Sequence, residues 1–276
     1  MRLIIGVLFI IIFAFPFQSC AKTHSGILLY YGSALREQDL TNIKTAIVDP
    51  DHTDPNQFTS TQTKFIAYLS LGEIETYRSY WSLLKSTPNL IVEKNPNWKD
   101  NYLIDIRSKD WQTFIVEIFI PQIMAKGFDG LFLDTLDTAV EMERRDPLKY
   151  AKSKQSLIDL IHSIHKKFPK LSLYSNNGLE ILSSIQDAIT GAVAEDVYTR
   201  YDFKLHKSNS TPSSDRDYKV NLLNQFTRST KKPVYVILYD DSQKTELVQD
   251  AIKECLKNKF NWFVAPVDLQ SIFPQE

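Results

Sequence analysis

The chain has 276 residues, of which 43% are hydrophobic, and this apolar content suits one large α/β domain or two small ones. Its formal net charge is −1, from 32 basic and 33 acidic residues, and no basic stripe stands out. Because nucleic-acid-binding proteins normally carry such a stripe, the composition argues against a nucleic-acid partner.

The first 21 residues differ from the rest of the chain and predict a signal peptide. Arg2 supplies a positive charge, and the apolar run Leu3–Phe15 that follows is shorter than the ~20 residues that a membrane-spanning helix needs. Two processing sites compete: Ser19-Cys20 fits a lipoprotein signal with a lipid on Cys20, and cleavage after Ala21 fits an ordinary signal peptide. We therefore expect export, to the extracellular space, the periplasm or a membrane to which Cys20 anchors the protein.

The two cysteines, Cys20 and Cys255, predict neither a disulfide framework nor a metal site. Cys255 lies on an apolar helical face and is predicted to be a core residue. No His or Cys spacing is typical of metal ligands, so we predict no metal and no cofactor.

From residue 26 onward, short apolar runs alternate with amphipathic stretches. This alternation predicts repeated βα units and a parallel sheet, either open or closed into a barrel. Helical periodicity appears between the runs; Trp111, Ile115, Ile118 and Phe119, for example, recur on one face. The nine candidate strands are Ile27–Tyr31, Thr45–Val48, Phe65–Leu69, Tyr102–Ile106, Gly130–Leu133, Leu171–Ser175, Gly191–Ala194, Val234–Leu238 and Trp262–Ala265.

Nine candidates are one too many for an eight-stranded barrel. The short run Tyr102–Ile106 stands close to its neighbours, so we predict that it is an extra or peripheral strand. No Gly/Ser linker divides the chain after the signal peptide, which predicts one domain over residues 26–276. The polar insertion Lys204–Asp217 is predicted to be a surface loop, with a lid over the site as the alternative.

Carboxylates follow most of the predicted strands. Asp134 and Glu195 stand out because each comes directly after a run that is predicted to be buried, where an acid is costly. Two carboxylates on one concave face are what cleavage of a glycosidic bond needs, one to protonate the leaving oxygen and one to attack or to activate water. Aromatic residues near the strand ends can stack on sugar rings; they are Tyr30, Tyr31, Tyr68, Trp98, Tyr198 and Tyr239.

Five sequence blocks resemble glycoside hydrolase family 114, a TIM-barrel family whose known activity is endo-α-1,4-polygalactosaminidase. The blocks are AYLSLGE at 67–73, Tyr102-x-x-Asp105-x-Arg107 with Trp98 and Trp111, GFDGLFLD at 127–134, Asn176-Asn177-Gly178 and Glu195-Asp196. The resemblance runs from about Tyr30 to Pro266. It implies a single-domain (β/α)8 barrel and retaining, endo-acting cleavage of an α-1,4-linked galactosamine or N-acetylgalactosamine polymer.

Carried over by position, the resemblance makes Asp134 the nucleophile and Glu195 the general acid/base. The residues predicted to bind the sugar are Tyr30, Asp49, Tyr68, Glu73, Arg78, Asp137, Asn176, Tyr198 and Tyr239. Because acids gather near these strand ends, we also expect the substrate to be a cationic amino-sugar polymer. Two alternatives stay open: a glycosidase that cleaves another polysaccharide, and a non-catalytic carbohydrate-binding envelope protein with the same barrel.

Overall fold

The computed structural model describes residues 26–242 and 244–273. The predicted signal peptide and its processing sites at Cys20 and Ala21 lie outside these residues. Across the part of the chain that is described, no helix combines the length and the apolar character that crossing a membrane requires.

The described residues form thirteen strands and eight α-helices. The strands are β1 (Ile27–Tyr30), β2 (Thr45–Val48), β3 (Lys64–Ser70), β4 (Glu73–Glu75), β5 (Ile91–Lys94), β6 (Asn101–Ile104), β7 (Gly130–Asp134), β8 (Ser172–Asn176), β9 (Gly191–Ala194), β10 (Thr199–Asp202), β11 (Lys207–Ser210), β12 (Val234–Tyr239) and β13 (Asn261–Ala265). The helices are α1 (Trp81–Leu84), α2 (Lys109–Thr113), α3 (Ile120–Ala125), α4 (Leu136–Arg145), α5 (Ser153–Lys167), α6 (Leu182–Ile185), α7 (Ser213–Thr230) and α8 (Glu246–Asn258).

Eight parallel strands form the central sheet in the order β1-β2-β3-β7-β8-β9-β12-β13. The first and last strands come together at their carboxyl ends, where Tyr31 N donates to Leu269 O at 2.8 Å. The sheet is therefore nearly closed, with helices between consecutive strands, and the predicted (β/α)8 TIM barrel is confirmed.

The apolar runs form strands because both faces of this sheet are covered, by the barrel interior and by the outer helices. All four residues of β1, of β2 and of β9 are buried. Gly130 begins β7 where the backbones crowd, since a Cβ there would lie 2.1 Å from Ser172 O. The neighbouring Asp129 accepts a hydrogen bond from Phe65 N at 2.9 Å and so ties β7 to β3. Cys255 is fully buried, which confirms it as a core residue.

The helical face predicted over Trp111, Ile115, Ile118 and Phe119 is partly wrong. Between α2 and α3 the helix widens into a π-helical segment, Phe114–Phe119, and Pro121 follows in the first turn of α3. Proline has no N–H to donate to the preceding turn, and a wider turn rotates the side chains that follow. As a result Ile118 is exposed although the other three residues of the face are buried.

Two insertions lie outside the barrel sheet. The first follows β3 and is an antiparallel sheet in the order β4-β6-β5; it contains the Tyr102–Ile106 run, so the prediction of a peripheral strand is confirmed. The second follows β9 and is the antiparallel hairpin β10-β11. The segment 204–217 is therefore not an irregular loop: it contains β11 and the start of α7, because backbone pairing with β10 orders a stretch without an apolar pattern.

Candidate active site

Three neighbouring strands bring Asp134, Asn176 and Glu195 to the carboxyl-terminal mouth of the barrel. Asp134 and Asn176 are the last residues of β7 and β8, and Glu195 directly follows β9. The carboxyl ends of parallel strands meet at one face, which is where TIM-barrel active sites are built.

One amide nitrogen holds both carboxylates. Asn176 Nδ2 donates to Asp134 Oδ1 at 2.7 Å and to Glu195 Oε1 at 2.7 Å. The reverse amide orientation would point an oxygen at two carboxylate acceptors, so these bonds fix how Asn176 is turned. Since both oxygens lie 2.7 Å from the same atom, they cannot be farther apart than twice that distance.

The residue after each of these three side chains adopts the left-handed backbone conformation. The φ angles are +59° at Thr135, +49° at Asn177 and +55° at Asp196. A non-glycine residue there costs about 1–2 kcal/mol, so surrounding contacts must hold it. Asn177 Oδ1 accepts from Glu195 N at 2.9 Å, and Thr135 Oγ1 accepts from Gly72 N at 2.8 Å. These turns end each strand sharply and leave its last polar side chain at the mouth.

Burial and the neighbouring acid favour the protonated form of Glu195. Desolvation and the negative charge of Asp134 raise the pKa of Glu195 from its ordinary 4.5 to about 8, against hydrogen bonds from Asn176 and Tyr239 that lower it. Glu195 therefore holds a proton near neutral pH. The ammonium group of Lys219, on α7, donates to the backbone oxygens of Glu195 and Asp196 at 3.1 and 3.2 Å and anchors the end of β9.

Three tyrosines surround Asp134 and Glu195, the two acids that are called the pair below. Burial raises the pKa values of Tyr31, Tyr68 and Tyr239 well above the ordinary 10, and the charge of Asp134 adds to this in each case. The rings of Tyr31 and Tyr68 meet edge to face, with centroids 5.2 Å apart. Tyr239 reaches Glu195 through its hydroxyl. These phenols stay neutral and provide hydrogen-bonding groups beside the two carboxylates.

Tyr31 takes the place at the pair that the sequence analysis gave to Tyr30. Side chains alternate along a strand, and Tyr30 is in register with Val48, on the face opposite to Asp49. The hydroxyl of Tyr30 accepts from Ala34 N at 3.1 Å, in the turn after β1. The alternation of side chains along a strand could have shown that Tyr31, and not Tyr30, faces the two acids.

Tyr198 is also not brought to the pair. It lies in the turn after Glu195, and its hydroxyl accepts from Asn258 Nδ2 at 3.1 Å on α8. Its other neighbours are on the outer helices and include Arg216 of α7 and Glu254 of α8. Tyr198 therefore packs between α7 and α8, and not beside the two acids.

Asp49 and Arg78 belong to a buried ion cluster. Arg78 Nη1 donates to Asp49 Oδ1 at 2.6 Å and to Asp51 Oδ2 at 2.9 Å, and Arg78 Nε donates to Glu75 Oε2 at 2.8 Å. The guanidinium also lies 5.6 Å from the ring centroid of Tyr68. This cluster supports Tyr68 from behind and joins the loop after β2 to the insertion after β3.

Glu73 lies in the first insertion, close enough to Asp134 to feel its charge, and three side chains donate hydrogen bonds to it. Both of its oxygens accept from Asn95 Nδ2 at 3.0 Å, and Asn101 and Thr138 each donate at 3.2 Å. Burial is the main cause that raises the pKa of Glu73, and the charge of Asp134 adds to it.

The last predicted binding residue, Asp137, lies at the start of α4. It is exposed and accepts from Gly178 N at 3.1 Å.

Four further residues contact the site or its supports without a predicted role: Asn95, Asn101, Asn177 and Lys219. The two residues of the first insertion follow no barrel strand, so their position gave no signal. Asn177 does follow a strand, beside Asn176, and a second amide at that point was a usable signal. Within residues 26–242 and 244–273, no cluster of three His, Cys, Asp or Glu side chains could hold a metal ion.

Known structures share this barrel. The glycoside hydrolase domain of PelA from Pseudomonas aeruginosa is 18% identical, with a TM-score of 0.79 over 91% of this chain and 98% of that one. Ega3 from Aspergillus fumigatus, solved in complex with galactosamine, is 17% identical, with a TM-score of 0.67 over 95% of this chain and 98% of that one. At these identities the likeness concerns the fold.

Sequence comparison identifies the family. An uncharacterized protein of Methanocaldococcus jannaschii is 27% identical over 225 residues, which are 74% of this chain and 61% of that protein. A protein of Thermotoga maritima is 24% identical over 143 residues, which are 44% of its length. The chain thus spans about half the length of these relatives. The model of glycoside-hydrolase family GH114 matches residues 18–276, and the chain belongs to this family.

Proposed function

We propose that this glycoside hydrolase cleaves an α-1,4-linked galactosamine polymer internally and with retention of anomeric configuration. The observation that carries the proposal is the amide of Asn176, which holds Asp134 and Glu195 by one nitrogen. Retaining enzymes place their two carboxyl groups about 5–5.5 Å apart, and inverting enzymes leave about 6.5–9.5 Å for a water between them. A shared 2.7 Å donor fits the first arrangement.

In the proposed reaction Asp134 attacks the anomeric carbon and forms a glycosyl ester. The glycosidic C–O bond breaks as Glu195, which holds a proton near neutral pH, transfers that proton to the leaving oxygen. Water then enters; the Glu195 carboxylate takes its proton, the hydroxide oxygen bonds to the anomeric carbon, and Asp134 leaves. Two displacements on the same carbon restore the starting configuration.

The substrate class rests on family membership and on charge. Resemblance to family 114 implies an endo-acting polygalactosaminidase, and the structure of Ega3 holds galactosamine. In this chain three carboxylates surround Arg78. The hydrogen bonds to Glu73 come from the neutral side chains of Asn95, Asn101 and Thr138. The mouth is therefore acidic, which favours a sugar that carries a free amine.

The test is product analysis on purified α-1,4-galactosamine polymers, both deacetylated and acetylated. We expect a ladder of internal fragments and, by proton NMR at early times, products that first appear as the α anomer. Products that first appear as the β anomer would overturn retention. Asp134→Asn removes a charge with little change in volume and should abolish cleavage; Asp105→Asn, whose carboxylate pairs with Arg107 away from the pair, is the control.

Two other results would replace the proposal. Cleavage of a different polysaccharide and of no galactosamine polymer would keep the glycosidase and change its substrate. Binding of polysaccharide without any cleavage, with Asp134 and Glu195 intact, would make the protein a carbohydrate-binding module on the same barrel.

A further inference from the structure

An exposed aromatic contact joins the two insertions at the mouth. The rings of Trp98, in the loop between β5 and β6, and of Phe203, in the turn of the β10-β11 hairpin, meet edge to face with centroids 5.6 Å apart. Each residue keeps almost half of its surface exposed, 48% for Trp98 and 47% for Phe203. An edge-to-face pair covers at most one ring face, so this contact leaves aromatic faces open to solvent.

The contact lies on the side of the mouth where the pair is. The two insertions follow β3 and β9. In the barrel sheet, β7 and β8 lie between these two strands, and they end in Asp134 and Asn176. The insertions therefore meet beyond the ends of β7 and β8.

Hydrogen bonds connect Trp98 to the site. Asn95 Oδ1 accepts from Trp98 N at 3.1 Å, while Asn95 Nδ2 donates to both oxygens of Glu73 at 3.0 Å. One asparagine thus fixes the Trp98 loop against an acid at the mouth. On the other insertion, the rings of Tyr201 and Phe203 meet edge to face with centroids 5.2 Å apart, and Asp202 Oδ1 accepts from Lys204 N and Leu205 N. Contacts within each insertion thus hold both rings in place.

We propose that Trp98 and Phe203 form a sugar-stacking subsite that binds a ring of the polymer away from the bond that is cleaved. Exposed apolar patches on a soluble protein mark ligand grooves and interfaces, and the C–H face of a pyranose is an apolar surface that matches an aromatic ring. The identity of the polymer rests on the proposed function. A chain that is cut internally extends past the pair on both sides, and rings on that path can reach the rim.

The first arm of the test measures kinetics. We expect Trp98→Ala and Phe203→Ala to raise KM for long polymer roughly five- to tenfold, the effect of losing one aromatic contact. For the shortest oligomer that the wild type cleaves, kcat/KM should stay within about twofold of wild type, because such an oligomer does not reach the rim. Trp98→Phe and Phe203→Tyr keep a ring and should restore most of the affinity. Leu256→Ala, on the outer helix α8 at 58% exposure, is the control.

The second arm measures binding without turnover. All four tryptophans lie in the described part of the chain, and Trp98 is the exposed one. Titrating the Asp134→Asn variant with long galactosamine oligomers should therefore shift or quench tryptophan emission, and the change should vanish when Trp98→Phe is added.

The two arms separate the subsite from the proposed function. Wild-type cleavage of the polymer, together with unchanged long-chain KM in both alanine variants and unchanged emission, would overturn the subsite alone. An emission change on Trp98 without any wild-type cleavage would support the subsite and overturn the hydrolase. Neither cleavage nor an emission change would overturn both.

Discussion

The side-chain nitrogen of Asn176 and the carboxyl oxygen of Glu195 lie 2.7 Å apart, and the same nitrogen binds Asp134 at the same distance. The bond from Asn176 lowers the pKa of Glu195, whereas burial and the charge of Asp134 raise it to about 8. Asn176 therefore acts on the distance between the two acids and on the pH at which Glu195 loses its proton.

The first prediction concerns Asn176→Ala. Without the shared donor the carboxylates are free to move apart, and a misplacement of about 1 Å costs on the order of 100-fold in rate. The alkaline limb of kcat/KM should also move to higher pH, because a bond that lowers the pKa of Glu195 is gone. Measuring kcat/KM against pH on a galactosamine polymer checks both effects.

Asn95→Ala is the matched control for this prediction, since Asn95 donates to Glu73 and not to the pair. Its alkaline limb should stay where the wild-type limb is. A limb that stays in place in Asn176→Ala as well would show that this asparagine does not set the protonation of Glu195.

The second prediction concerns stability against pH. The pKa of Glu195 rises from an ordinary 4.5 to about 8 in the folded protein, so between these values the folded state binds more protons than the unfolded state. Stability from this group is fully present below pH 4.5 and is lost as the pH rises toward 8. In Glu195→Gln, which has no proton to lose, this part of the decline should be absent. Urea unfolding of both proteins across this range measures it.

Glu117→Gln, on the exposed side of the π-helical segment, is the control and should keep the wild-type decline. Parallel curves for wild type and Glu195→Gln would mean that burial does not hold the proton on Glu195.

Much of the fold could be predicted from the sequence because each buried parallel strand appears there as a short apolar run. The run at Gly191–Ala194 matches β9 at both ends, and Thr45–Val48 matches β2. The hairpin β10-β11 could not be predicted in this way. Its second strand is KSNS, which has no apolar alternation, and it is ordered by backbone pairing with β10. An apolar pattern in the sequence reflects the burial of side chains. It therefore does not reveal an element that only backbone hydrogen bonds stabilise.

The site followed the same division. The positions directly after strands gave Asp134, Asn176 and Glu195, since a barrel brings its strand ends together. Side-chain direction was harder, and Tyr30 was predicted where the alternation puts Tyr31 at the mouth. Asn95 could not be found in this way, because an insertion away from the barrel strands carries it to Glu73.

The third prediction concerns Arg78, the cation of the buried ion cluster. Replacing it with methionine leaves Asp49 and Glu75 buried without their partner, and breaking a buried pair in this way costs about 3–5 kcal/mol. Arg78→Lys should recover only part of the loss, because one ammonium cannot reproduce the separate contacts of Nε and Nη1. The free energy of unfolding in urea gives both values.

Arg145→Met is the matched control. Arg145 pairs with Glu93 at 2.5 Å on the surface, where a salt bridge contributes about 0–1 kcal/mol. Equal losses from Arg78→Met and Arg145→Met would show that the cluster has no special role in stability.

The fourth prediction concerns charge selection at the mouth. The charge of Asp134 acts on the pKa of Glu73 and, together with the charges of Asp49 and Glu75, on the pKa of Tyr31, so these four acids lie around one part of the mouth. Arg78 is bound by three carboxylates and Lys219 by two backbone oxygens. The excess negative charge should make kcat/KM higher for deacetylated than for fully acetylated polymer. Salt screens exposed charges over ~10 Å at 0.1 M, so this ratio should fall as salt rises.

Asp137 is the acid to change, because it is exposed at the mouth and does not hold the pair. We expect Asp137→Asn to raise KM for the deacetylated polymer about two- to fivefold, the effect of one partly screened charge, and to leave the acetylated polymer unaffected. Asp250→Asn removes the same charge from the exposed face of α8 and should change neither value. Faster cleavage of acetylated polymer, with no response to salt in the wild type, would mean that the acids at the mouth do not select an amine.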